Sequence, residues 1–140
     1  MKTLLFFFLF INTLLFSSDL QTEEKIYKLI IHNLIPQQKE IKAWGDTPKN
    51  QEILKTIPGV TVVTSPKTAD FLLLNNKKAS NSKALIFVTN FKLLEKMQNI
   101  AVGGFYWQKG RPNILFLRQN LQKNNIHLPK SMQDFIEDEI

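Results

Sequence analysis

Acid–base chemistry in this chain has only two imidazoles to draw on, His32 and His127, and there is no cysteine to serve as a nucleophile or thiolate ligand. Nucleophilic catalysis needs a nucleophile, a base and an orienting group within hydrogen-bond reach. His32 falls beside the apolar stripe of a helical pattern. His127 lies between Ile126 and Leu128, whose inward direction turns the imidazole outward. Neither follows a nucleophile elbow of the G-x-S-x-G type. Metal centres collect several His, Cys or carboxylate ligands at defined spacing, and these imidazoles stand apart. The one carboxylate cluster, Asp134, Glu137, Asp138 and Glu139, reads as part of a terminal helix, where negative charge opposes the macrodipole and frays the last turn. Gly103-Gly104 sits inside an extended run, not between a strand and a helix, so it is no phosphate-binding fingerprint. Paired glycines in a strand mark a bulge or a close backbone approach. The residues thus predict no catalytic group, no metal site and no cofactor.

Contact chemistry is better represented. Tyr106, Trp107, Lys109 and Arg111 gather at the end of a predicted hairpin. Trp, Tyr and Arg combine large buried area with a polar handle, which is why they dominate protein contacts. Strand alternation sets Tyr106 and Trp107 on opposite faces. Trp44, at the end of the first strand, reads as close to the same rim, and the gap at Gly103 and Gly104 admits a ligand or partner. The candidate partner or ligand surface is therefore Trp44, Gly103, Gly104, Tyr106, Trp107, Lys109 and Arg111.

The elements that position these residues follow from periodicity. Ile26, Tyr27, Ile30, Ile31, Leu34 and Ile35 recur at spacings of three and four, predicting an amphipathic helix from Thr22 to about Leu34 that Pro36 stops. Glu40–Trp44 alternates as a strand with one buried face, ended by Gly45-Asp46. Thr47-Pro48 then caps a helix that carries Ile53, Leu54 and Ile57 inward and stops at Pro58-Gly59. Val60–Thr64 is β-branched and extended. Phe71–Leu74 and Ala84–Val88 are continuous apolar runs, suited to strands covered on both faces. Between them Asn75–Ser82 reads as a mobile polar loop. Thr89 or Asn90 caps a helix through Met97. Ala101–Trp107 and Pro112–Leu117 flank a short glycine-containing turn as a β-hairpin. A short helix from Gln119 to Asn124 and a final helix opened by Ser131 complete the order. The fold class is α/β: a single-domain layered fold with a mixed β-sheet flanked by helices, its C-terminal β-hairpin followed by helices.

Composition sets the setting. Lys2 followed by the apolar run Leu4–Phe16 and then Ser17-Ser18 describes a secretory signal peptide over residues 1–18. The run is short for a permanent span, which needs about 20 apolar residues. The expected location is periplasmic, with residues 19–140 as one domain. Eleven Phe, five of them within residues 1–18, with many Leu and Ile can supply a core without disulfides. The 18 basic against 12 acidic residues give a net charge of +6. In an exported protein this fits an anionic surface, an acidic partner or a lysine-rich solvated exterior, and not nucleic acid.

The stretch Val102-Gly103-Gly104-Phe105, a short turn, Asn113-Ile114-Leu115-Phe116 and then Asn120-Leu121 before a final helix resembles the YfiR-like family of periplasmic regulators. The upstream order of elements is compatible with the same family. The resemblance implies an exported α/β domain that restrains a membrane-bound cyclic-di-GMP synthase by binding its periplasmic part; related modules serve as sensor domains of histidine kinases. Two departures stand out. Some members carry redox-sensitive disulfides, which a cysteine-free chain lacks, and the cyclase-facing residues have no clear counterparts here.

Together these features predict a non-enzymatic periplasmic regulator whose partner is the periplasmic part of an inner-membrane signalling protein. Dimers through the first helix or the hairpin are compatible with the sequence. The alternative is a small solute-binding domain, with Trp44, Tyr106 and Lys109 contributing to its pocket.

Overall fold

A computed structural model describes residues 21–36, 38, 40–76 and 83–140. The signal-peptide segment and most of the Asn75–Ser82 loop lie outside the described residues. Helix α1 covers residues 21–34. It is followed by β1 (Ile41–Gly45), α2 (Pro48–Lys55), β2 (Val60–Val62), β3 (Phe71–Leu74), β4 (Leu85–Val88), α3 (Phe91–Lys96), β5 (Gly103–Gln108), β6 (Arg111–Leu117), α4 (Arg118–Lys123) and β7 (Ile136–Glu137). Short 3-10 turns cover Pro66–Thr68 and Lys130–Phe135.

The seven strands form one mixed sheet in the order β2-β1-β3-β4-β5-β6-β7. The first five are mutually parallel, β6 runs antiparallel to β5, and β7 is parallel to β6. Side-chain alternation divides the core into two layers. Ile41, Ala43, Phe71, Leu73, Phe87, Phe105 and Phe116 face one side, where Tyr27, Ile30, Ile31 and Leu34 of α1 and Ile53 and Leu54 of α2 cover them. Leu72, Leu74, Ile86, Val88 and Tyr106 face the other side, under Leu93 and Leu94 of α3 and the following Met97. Burial on both faces explains why β3 reads as an unbroken apolar run: all four of its residues are buried.

Local signals set the element ends. The Thr47 hydroxyl accepts from the Asn50 N–H at 3.1 Å, with Pro48 at the first helical position of α2. Of the two candidate caps for α3, Asn90 takes the role: its Oδ1 accepts from the N–H groups of Lys92 at 2.9 Å and Leu93 at 3.3 Å. The β5–β6 hairpin turns on Lys109 and Gly110, both left-handed at φ 51° and 72°, between the paired Gln108 and Arg111. Two left-handed central residues match the right-handed twist of the flanking strands.

The C-terminus differs from expectation. In place of a helix opened by Ser131, the chain makes a 3-10 turn without a side-chain cap and ends in β7, with Ile136 beside Phe116 and Glu137 beside Leu117. The open edge of β6 offers unpaired backbone groups that capture the passing chain, while Met132 and Ile136 pack on the first core layer. The acidic residues therefore load no long helix terminus. Asp138 instead accepts from the Arg118 Nε at 2.7 Å. β2 is also shorter than the β-branched run, ending at Val62. Among the described residues no helix is long and apolar enough to cross a membrane.

Candidate functional site

The chain leaves β1 to form β2 on one side, then crosses back to place β3 on the other, so successive connections diverge between β1 and β3. In open parallel sheets such a switch point leaves a crevice beyond the carboxyl ends of the strands, where ligands bind. Here that crevice is a cavity of about 250 Å³. Thr47, Lys49, Asn50 and Ile53 border it from α2 and its cap, and Asn75 and Thr89 from the ends of β3 and β4. Glu23 and Tyr27 of α1 and Phe105 and Trp107 of β5 complete the wall.

Gly45 makes this arrangement possible. A Cβ there would stand 2.9 Å from both Asn50 Cβ and the Gln51 backbone nitrogen, so only glycine lets α2 start so close to the strand end. The next residue organises the floor. The Asp46 carboxylate accepts from the backbone N–H of Asn75 at 2.9 and 3.0 Å and of Asn76 at 2.8 Å. Its Oδ1 also accepts from Asn50 Nδ2 at 3.2 Å. The same buried amide donates to the Leu73 carbonyl at 3.2 Å, and the Thr89 hydroxyl donates to Asn75 Oδ1 at 2.9 Å. These bonds tie the ends of β1, β3 and β4 into one rigid rim.

The opposite wall is aromatic and carries one charge. Tyr27 meets Phe105 edge-on at 5.2 Å between ring centroids, and Phe105 meets Trp107 at 6.2 Å. The Trp107 Nε1–H donates to Glu23 Oε1 at 2.8 Å. Glu23 is only 8 % exposed. Lys49 Nζ stands 3.7 Å from Glu23 Oε2, on a side chain that is 69 % exposed. Burial, helped by the neighbouring Glu23 charge, pushes the Tyr27 hydroxyl far above its ordinary range, so it remains a neutral hydrogen-bonding group.

The residues singled out from the sequence are dispersed. Trp107, Lys109 and Arg111 are exposed at the hairpin end, with Trp107 at 44 %. Tyr106 is buried in the second core layer, its ring 5.2 Å from Phe91. Gly103 and Gly104 are buried as well. A Cβ on Gly103 would fall 2.2 Å from the Leu115 carbonyl oxygen, and one on Gly104 would fall 3.1 Å from Val88. The glycine pair thus serves the close approach of backbone that its sequence context suggested, and it opens no surface gap. Trp44 is half-buried against the second core layer. Its strand is separated from β5 by β3 and β4, about 14 Å at the usual strand spacing. Trp44, Tyr106 and Lys109 therefore form no common pocket.

Glu23 and Asp46 escaped the sequence reading. Glu23 looks like an ordinary solvated charge on a helix, and its partner Trp107 lies 84 residues away. Asp46 looked only like a strand terminator. Its position directly after β1 and before a capped helix was the available signal, since that is where a switch-point crevice opens. His32 borders a shallow surface groove on α1 with Lys25, Lys28 and Leu29, and His127 is exposed. Among the described residues no three His, Cys, Asp or Glu side chains come together.

No protein-family model, curated protein or solved structure matches this chain.

Proposed function

We propose that the protein is an exported, non-enzymatic binding domain that regulates the periplasmic part of an inner-membrane signalling protein, such as a diguanylate cyclase or a histidine kinase. The observation that carries this reading is Trp107: a large ring 44 % exposed, held in one orientation by its bond to Glu23, at a hairpin end that also carries the exposed Lys109 and Arg111. A pre-oriented aromatic loses little side-chain entropy on docking, which favours a contact role. The leader-like segment over residues 1–18 and the resemblance to periplasmic regulators supply the location and partner class.

Photo-crosslinking from position 109, in the turn two residues beyond Trp107, tests this in cells. The expected product joins the mature chain to an inner-membrane signalling protein. The Trp107→Ala, Arg111→Ala double variant should weaken binding to that protein's purified periplasmic domain at least tenfold while keeping its circular dichroism. Undiminished affinity would remove the hairpin end from the interface. Crosslinks confined to cytosolic proteins would remove the regulatory reading altogether.

The cavity at the switch point favours a second reading, in which the domain binds a small solute there. Its lining combines aromatic walls with a few convergent polar groups, the usual make-up of ligand sites.

A further inference from the structure

We infer that the crevice between α1, α2 and the end of β5 is a site for a small organic ammonium ion, with Glu23 as its counter-ion. This inference rests on the solute-binding reading of the cavity and adds the chemical class of the occupant.

Three observations converge. First, the carboxylate bordering the cavity, Glu23, is 8 % exposed and fixed by the Trp107 N–H through one oxygen alone. An anionic solute would have to sit beside that partly desolvated charge, where repulsion is stronger than in water. Second, Tyr27, Phe105 and Trp107 line the same cavity, and aromatic rings attract a cation within about 6 Å of the ring centroid. Third, the remaining Glu23 oxygen already faces an ammonium, Lys49 Nζ at 3.7 Å. That group sits on a side chain 69 % exposed, and such a pair contributes little, so it gives way readily. Lys49 occupies the place that a ligand's ammonium would take, as an internal stand-in. The cavity of about 250 Å³ holds the volume of roughly eight waters, which suits a short amine.

The experiment uses the mature chain carrying Trp44→Phe, which leaves Trp107 as its single indole reporter. n-Butylammonium, choline, n-butanol and butyrate are titrated separately while Trp107 emission is followed. One or both cations should give a saturable change, with n-butanol and butyrate at least tenfold weaker. Glu23→Gln keeps an acceptor for the Trp107 N–H and should weaken cation binding roughly ten- to a hundredfold, the range for a charge-assisted bond. Lys49→Ala should strengthen it about two- to fivefold by removing the internal competitor.

Preferential binding of butyrate or butanol would overturn the ammonium assignment while leaving a solute site in place. Silence from all four probes would overturn both. Weaker cation binding in Lys49→Ala would also defeat the inference. The Lys49 substitution lies on an exposed side chain, so its outcome does not depend on the fold tolerating a change at Glu23.

Discussion

The indole N–H of Trp107 donates to the Glu23 carboxylate at 2.8 Å across 84 residues of sequence. This bond joins α1 to the end of the β5–β6 hairpin and borders the crevice. It also makes the exposed ring and the buried charge interdependent: neither can move without altering the other.

Trp107→Phe keeps most of the ring and removes the donor. Glu23 then retains only the distant Lys49 ammonium while staying largely desolvated. Loss of one partner from a mostly buried charged acceptor costs about 1–3 kcal/mol. The urea unfolding midpoint should fall accordingly with an unchanged slope. An unaltered midpoint would mean that the bond contributes nothing net.

The glycines separate backbone approach from backbone conformation. Gly103→Ala drives a methyl to within 2.2 Å of a carbonyl oxygen on the partner strand. Strands β5 and β6 would have to part, and overpacking of this kind costs about 1–3 kcal/mol or more. Gly110→Ala meets no atom within 4 Å and pays only for its φ of +72°, on the order of 1 kcal/mol. Thermal unfolding should therefore rank Gly103→Ala well below Gly110→Ala; the reverse order would contradict the strand pairing described here.

Asn120, 1 % exposed, donates from one amide nitrogen to the carbonyls of Gln98 at 2.7 Å and Ala101 at 2.6 Å. It thereby fastens α4 to the segment entering β5. Asn120→Leu fits the space but leaves a buried acceptor unpaired, at a cost of about 2 kcal/mol. Hydrogen exchange should become faster at the start of β5, and equal protection in both proteins would show that the amide is dispensable.

Alkaline pH should unfold the protein through Tyr27. Its ordinary value is 10.0, and burial with the nearby Glu23 charge raises it in the native state. Below about pH 10 both states keep the proton and the native contribution is complete. Above it the unfolded chain releases the proton while the native chain holds it, so stability falls as pH rises. Phenolate absorbance of Tyr27 should appear together with loss of circular dichroism, and Tyr27→Phe should flatten the alkaline decline. Ionisation of Tyr27 near pH 10 within an intact fold would refute this.

Much of the architecture was legible because its signals are local. The threefold and fourfold spacing from Ile26 to Leu34, the Thr47-Pro48 start and the alternation along β1 each specify one element without outside help. The last ten residues were not legible in that way. Ser131 and Asp134 imitate a helix start, but pairing of Ile136 with the edge of β6 is a tertiary event that no local pattern announces. Strand order is non-local too, and with it the crevice: Asp46 meets Asn75 only once β3 pairs beside β1, and Glu23 meets Trp107 only once α1 packs over β5. The hairpin end could be read because its residues are contiguous, whereas Tyr106 drops out of it because alternation turns that ring into the core.

The sheet closes at both flanks with very little strand, three residues in β2 and two in β7. β7 pairs with β6 only at Phe116 and Leu117, so the outer edge of Arg111–Leu115 stays open to a further strand. On that stretch Pro112 brings no N–H donor and Arg111 brings a charge, the two local features that hinder main-chain zippering by a second copy.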